Sequence, residues 1–502
     1  MRTALLRGST VLTLLTLMAG ALAQTLVVAL HQDLESTDPT VGGPIASVTY
    51  NMAVADHLVY MSERGLEPWV LERWVVTPEG VYTWHVREGI TFTDGTPLDA
   101  HAIIFNIERM LVPENNLRYG SYFVPMRSIE ALDDYTIRLD MGRYDVEFME
   151  RMVNVAIVSP TAVERLGPGF AAAPVASGPF LFESYTPGER ITLRRNPDYW
   201  RPGEPKVDTL VFRIIPETGV RMIELEAGTV HYAMNMAGAD LEAAERAGLT
   251  IEMSPKVGRL VLYFNLERIT DVNVRRAVNH AIAREPLIET VTGGIGDPGY
   301  YAVPEVMWAY NPNIPIYTFD PERANQMLDE AGWALGSDGI RAKDGQRLEW
   351  TMPVENVPPI MRAAEFITAM LADIGIHVNI RPLDTAAHTA AARGGDHDLT
   401  LMQWASTNLD PWFSATDLHS NYSWNMSQSN EPGILDPLIE AGLTTLDQDK
   451  RQAIYDAFFT YTQHQSLSVT LGFLPQVFIA RPEVDGVWVL GARLLFTEAT
   501  VD

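Results

Sequence analysis

The chain has 502 residues, with 64 Asp and Glu against 37 Lys and Arg, a net charge of −27 and no cysteine. Such acidity argues against nucleic acid or anionic lipid as a main partner, because phosphate contacts need clustered cations. The missing thiols exclude disulfide frameworks, zinc ribbons, iron–sulfur ligation, thiol nucleophiles and cysteine-linked lipid anchors.

At the start, Arg2 and Arg7 precede an apolar run that closes on Ala21-Leu22-Ala23. Residues 1–23 read as a cleavable secretory signal peptide, the uncharged stretch being shorter than the roughly 20 residues that span a bilayer. Its removal takes away two arginines and no acid, so the exported chain is more acidic still. A soluble periplasmic protein without a lipid anchor is expected.

Residues 25–30 form an apolar strand. Residues 66–94 read as a small antiparallel region whose Trp69, Trp74, Tyr82, Trp84 and Phe92 supply core, with turns at Pro78-Glu79-Gly80 and Asp94-Gly95. A helix follows over 98–111, carrying Ile103, Ile104, Ile107 and Leu111 at helical spacing and ending before Pro113. Further on, Asn273 is expected to cap a helix in which Val274, Ala277, Val278, Ala281 and Ile282 share one face. Asp320, Pro321 and Gly332 supply cap, first-turn proline and terminal glycine for another. A helix over 360–374 stops at Gly375, a strand follows from Ile376, and residues 399–404 are a further strand. This alternation, at a length that calls for more than one core, indicates an α/β protein of two or three domains.

Enzyme signatures are scarce. Residues 294–299 satisfy GxGxxG but contain a proline and follow a helix instead of a strand, which points to a glycine-rich turn. GxxxxGK[ST], GxSxG and HExxH are absent from the sequence. Asp396-His397-Asp398 with His388 nearby reads as a solvated turn, since no second ligand pair stands at helical spacing. No catalytic residue, metal or cofactor is expected.

Four segments in register nevertheless carry a resemblance: Pro68-Trp69-Val70-Leu71-Glu72-Arg73-Trp74 with the run 83–98; Ser177-Gly178-Pro179-Phe180 with Arg195-Asn196-Pro197-Asp198-Tyr199-Trp200; Phe264-Asn265-Leu266 with Val274-Arg275-Arg276-Ala277; and Met307-Trp308-Ala309-Tyr310-Asn311 with Asp320-Pro321. Together they resemble the family 5 extracellular solute-binding proteins, the dipeptide, oligopeptide and nickel-binding components of ABC importers. The resemblance implies a periplasmic binding protein-like, two-lobed Venus flytrap fold with an extra domain on lobe one. Lobe one would comprise 24–50, 178–262 and 476–502, the extra domain 51–177, and lobe two 263–475. It further implies a non-enzymatic monomer that delivers a peptide or other small polar organic solute to inner-membrane permease subunits. An oligosaccharide ligand, a sensing role and, remotely, a secreted hydrolase stay open.

In peptide-binding relatives an Asp three residues after a strand-ending Trp pairs with the ligand's ammonium. Here Trp404 ends the strand and Thr407 stands three residues on, a hydroxyl that accepts a hydrogen bond without neutralising the charge. Asp410 could substitute, although Asp410-Pro411 also suits a plain turn. Alignment to segments lining the cleft in relatives adds residues 34–38, Met234, Asn235 and Met236, Tyr119 and Tyr122, Arg393 and Asn408 as candidate ligand contacts.

Overall fold

The uncharged, β-branched run TLVVAL suits a strand covered on both faces, and Thr25–Leu30 takes a central place in a seven-stranded sheet. The computed structural model describes residues 24–43, 45–62, 65–115, 117–404, 410–422, 424–490 and 493–501. Across this first sheet the order is Thr250–Met253, Val477–Ala480, Tyr232–Ala233, Thr25–Leu30, Thr209–Ile214, Arg190–Arg195 and Phe180–Thr186. Thr25–Leu30 runs parallel to both its neighbours, and the outer pairs are antiparallel.

The second lobe is built on the strand Gly258–Phe264, every residue of which is buried. It lies between Ser468–Leu474 and Leu399–Trp404, with the parallel pair Glu349–Glu355 and His377–Leu383 joined through Asp398, whose carboxylate accepts from the Thr351 N–H at 2.8 Å. The helices Val272–Ala281, Pro321–Glu330 and Pro358–Ala372 pack their apolar faces on this core. Asp271, not Asn273, caps the first of them: its carboxylate accepts from the Asn273 N–H at 2.9 Å, and the acidic cap begins the helix two residues earlier than the hydrophobic face suggests. The other two start and stop close to the positions expected from Asp320-Pro321 and Gly375.

Between them stands an antiparallel sheet in the order Leu71–Val76, Val81–Val86, Thr136–Asp140, Ser128–Asp133, backed by the helix Ala100–Leu111. Tyr82, Trp84 and Val86 alternate inward along Val81–Val86 and bury against Ile103, Ile107 and Phe148. Gly80 is required at the preceding turn: its φ is +81°, and a Cβ there would lie 1.9 Å from the Arg143 carbonyl oxygen.

Residues 51–54 finish the helix Ile45–Val54, and Ala156, Val158, Ala162, Phe170 and Ala176 pack with it in the same core as Thr25–Leu30. Gly258–Phe264 belongs wholly to the second sheet, and the chain crosses to it from the first sheet through residues 254–257. The return crossing is at 475–476. The two are braced to each other: the Ser254 N–H donates to the Gln476 carbonyl at 3.0 Å and the Gln476 N–H to Ser254 Oγ at 2.9 Å.

Lobe one and the extra domain are joined through Asp56. Its buried carboxylate accepts from Trp69 Nε1 at 2.8 Å, Tyr199 OH at 3.0 Å and Trp200 Nε1 at 3.1 Å. Replacing Asp56 with alanine leaves three donors without an acceptor, each costing on the order of 1 kcal/mol or more. Asp56→Ala should therefore lower the urea midpoint by an amount equivalent to about 3 kcal/mol, with the near-ultraviolet signal of these tryptophans lost first.

Candidate functional site

Open α/β sheets bind ligands outside the carboxyl ends of parallel strands, where the chain leaves to either side of the first strand. In lobe one that edge is formed by His31, Ile215 and Asn235, which follow Thr25–Leu30, Thr209–Ile214 and Tyr232–Ala233. The buried Arg221 shapes it by donating to the carbonyls of Ile215 (2.6 Å), Pro216 (2.7 Å) and Asn235 (2.9 Å). Asn235 is held at φ +52°, a conformation asparagine tolerates better than most residues. Burial and the adjacent Arg221 push the His31 imidazole down to about 4, so it is neutral at this edge at physiological pH.

Across the cleft, the extra domain and lobe two meet in a cage of aromatic rings and guanidinium groups. Tyr119 and Tyr122, on the 3-10 helix Arg118–Phe123, lie 5.4 Å apart. The Tyr122 hydroxyl accepts from Asn154 Nδ2 at 3.3 Å, and burial raises its pKa. Arg151 stands 5.8 Å from the Tyr122 ring and 5.2 Å from the ring of Trp412 in lobe two, and is ion-paired with Asp145. Arg118 from the extra domain and Arg393 from lobe two both approach Trp424, at 5.3 Å and 5.0 Å from its ring centre. The Tyr422 phenol, pushed up to about 12 by burial and Asp417, has Arg118, Arg151 and Arg393 acting on it in the opposite direction. Rings of this kind offer flat apolar contact, and the guanidinium groups offer bidentate donors.

Trp404 is anchored from behind. Its indole N–H donates to Tyr263 OH at 2.9 Å, Tyr263 donates to Asp417 at 2.7 Å, and Asp417 is ion-paired with the buried Arg259 at 2.7 Å. The ring packs edge-on to Trp424 at 5.8 Å. Trp404, Tyr122 and Arg393 are thus brought to one place, while Asn235 stands at the strand edge of lobe one.

Two further candidates are used by the fold. Met234 is 1% exposed and packs in the lobe-one core, its strand-end position turning the side chain inward. Asp410 is bound by Arg451 at 2.8 Å and by Trp308 Nε1 at 3.1 Å, which leaves no lone carboxylate for a ligand ammonium. Thr407 and Asn408 lie outside the described residues. His397, read as part of a solvated turn, is fully buried and bonded to the Met426 carbonyl at 3.0 Å; His388 meets Thr400 Oγ1 at 3.0 Å. Arg118, Arg151, Trp412, Tyr422 and Trp424 were not singled out by sequence reasoning. The adjacency of Arg118 to Tyr119, and Trp412 directly after Asp410-Pro411, were the available signals.

Two lobes joined by paired crossings, an extra domain on the first and an aromatic cleft between them define a binding protein of the Venus flytrap type. The chain belongs to the family described as "bacterial extracellular solute-binding proteins, family 5 Middle", whose model matches residues 65–426. It is 29% identical over 427 residues to di/tripeptide-binding protein 1 of Pseudomonas aeruginosa, covering 77% of each chain. Among solved structures it is similar to the periplasmic binding protein DppA of Helicobacter pylori in complex with the peptide STSA, at a TM-score of 0.84 and 25% identity, covering 95% of this chain and 98% of that one. The oligopeptide-binding protein AppA of Bacillus subtilis has the same fold at a TM-score of 0.85 and 22% identity, over 96% and 99% of the two chains. No helix among the described residues is long and apolar enough to cross a membrane.

Beside the cage, residues 143–151 strap the extra domain to lobe two. The Val146 N–H donates to the Leu443 carbonyl at 2.9 Å, and Glu147, 2% exposed, pairs with Arg451 at 2.8 Å. Arg451 therefore sits between two carboxylates, Glu147 and Asp410. Burial, Asp410 and Glu150 outweigh Arg451 and hold the Glu147 carboxyl well above the usual carboxylate range. The folded, docked state thus binds a proton that the released strap gives up near the ordinary glutamate value. The contact is strongest in acid and weakens as pH rises above that value through neutrality. Thermal unfolding from pH 5 to 9 should show this decline, and Glu147→Gln should flatten it and melt higher at pH 8; an unchanged slope would contradict a protonated Glu147 in the docked strap.

Proposed function

We propose that the protein is the periplasmic solute receptor of an ABC importer, capturing a peptide or another small polar organic molecule in the cleft and presenting the closed form to a membrane permease. The observation that carries the reading is the cage itself: rings and guanidinium groups from the extra domain and lobe two converge on Trp424 and Tyr422. A ligand that touches both sides binds the closed form better than the open one, and that difference in affinity is what drives closure. Trp404, Tyr122 and Arg393 face it from lobe two and the extra domain, Asn235 from lobe one, and Thr407 and Asn408 follow Trp404 in the chain.

A peptide is favoured because the chain is similar to the di/tripeptide-binding protein of Pseudomonas aeruginosa and to DppA holding STSA. Native mass spectrometry of freshly purified protein, followed by thermal shift against peptides, sugars and nickel, tests this. A ligand at 100 times its dissociation constant stabilises by about 2.7 kcal/mol, a shift of several degrees or less for a chain this long. The largest shift is expected with peptides; a larger shift with sugars would move the assignment to an oligosaccharide.

A further inference from the structure

The charges lining the cleft are unlike those of the chain as a whole. In a protein of net charge −27, the cage gathers Arg118, Arg151 and Arg393 around Tyr422, with Asp417 the carboxylate acting on the same phenol. Four carboxylates nearby are matched, Asp417 by Arg259, Asp145 by Arg151, Asp410 by Arg451 and Asp38 by Arg109, while the exposed Glu35 lies against Gly43 at the rim. Arg118 is exposed; its guanidinium donates to the Gly43 carbonyl at 3.1 Å, lies over the Trp424 ring and has no ion-pair partner among the described residues. Behind Tyr119 and Tyr122, the buried Arg493 donates to Asn154 Oδ1 at 2.5 Å and likewise has no carboxylate partner among the described residues.

Closure also brings like charges together. Arg118 belongs to the extra domain and Arg393 to lobe two, and both lie over one indole, so their charges are at most about 10 Å apart, near the Debye length at physiological salt. Among the described residues Arg118 forms no ion pair, so no bound carboxylate on its side relieves that repulsion. An anionic group between the two guanidiniums would convert it to attraction in the closed form alone, which is the differential affinity a flytrap needs.

We infer that the solute carries a net negative charge and places a carboxylate or equivalent anionic group beside Trp424, received by Arg118 from one side and Arg393 from the other. This rests on the solute-binding reading above and names the chemical class of its ligand. An acidic peptide, with or without a free amino terminus, fits the class. A cationic one is disfavoured, since its charge would stand beside the guanidinium groups of Arg118 and Arg393.

The test is calorimetric titration of the purified protein with Ala-Glu, N-acetyl-Ala-Glu, Ala-Ala and Ala-Lys, with N-acetylglutamate and maltose as non-peptide probes. The two acidic peptides should bind at least roughly tenfold more tightly than Ala-Lys, with affinity falling as salt rises. Arg118→Met should remove about tenfold for Ala-Glu, and Arg118→Lys should recover part of it, both without shifting the melting temperature of the unliganded protein. Ala-Lys binding as well as Ala-Glu, or Arg118→Met binding Ala-Glu normally, overturns the inference and leaves peptide capture standing. N-acetylglutamate binding without any peptide supports the inference and removes the peptide assignment. Maltose binding without any anion overturns the inference while the solute-receptor reading survives.

Discussion

A single buried carboxylate decides how this molecule is put together. Asp56 follows the first lobe-one helix and takes three hydrogen bonds from rings that lie far apart in the chain, Trp69 in the extra domain and Tyr199 and Trp200 in lobe one. A carboxylate withdrawn from water is costly unless several donors replace its hydration. Here the donors are themselves large aromatic groups that need covering, and Trp69 and Trp200 pack edge to face at 5.8 Å around it. The extra domain is consequently fixed to lobe one as a unit, and the cleft face it carries moves with that lobe.

This explains which parts of the structure were readable in the sequence. The segments that carry the family resemblance are scaffold. Trp69, Tyr199 and Trp200 meet at Asp56, and the motif asparagine Asn196 donates to the Gly178 carbonyl at 2.9 Å where the chain re-enters lobe one. A Cβ on Gly178 would lie 2.4 Å from the backbone of Val54. Asn265 holds the Gly395 and His397 carbonyls, both at 3.1 Å, and Arg275 caps the carbonyls of residues 269, 270, 465 and 466. Such roles demand particular residues at particular spacings, so they leave a pattern. The cage has no such demand. Arg118, Arg151, Trp412 and Trp424 come from separate elements in two domains and share no periodicity; Trp404 stood out at the end of a recognisable strand, and Tyr119, Tyr122 and Arg393 came only from alignment to the segments that line the cleft in relatives. Met234 and Asp410 show the converse: each stands where the chain nears the cleft, but neighbouring core and Arg451 claim their side chains.

The charge distribution separates two functions that one number conceals. Spread over the surface, the excess of acids keeps the protein apart from other macromolecules and from anionic membranes. Inside the cleft, Arg118, Arg151 and Arg393 gather, and the carboxylates of Asp38, Asp145, Asp417 and Asp410 hold Arg109, Arg151, Arg259 and Arg451 in place. Rigid pairs of this kind contribute little to stability, yet they fix where the rings of Trp404 and Trp412 stand, and shape at that point governs what can be admitted.

The strap at 143–151 gives closure an energy that does not depend on cargo. Part of the contact between the extra domain and lobe two, from Val146 to Leu443 and from Glu147 to Arg451, is made without any atom of the solute. An empty receptor with such a clasp spends some of its time shut, and those shut molecules compete with loaded ones for the transporter while also binding cargo less readily. Loosening or tightening the clasp would therefore trade affinity against idle occupancy of the transporter, leaving every residue that recognises the solute unchanged.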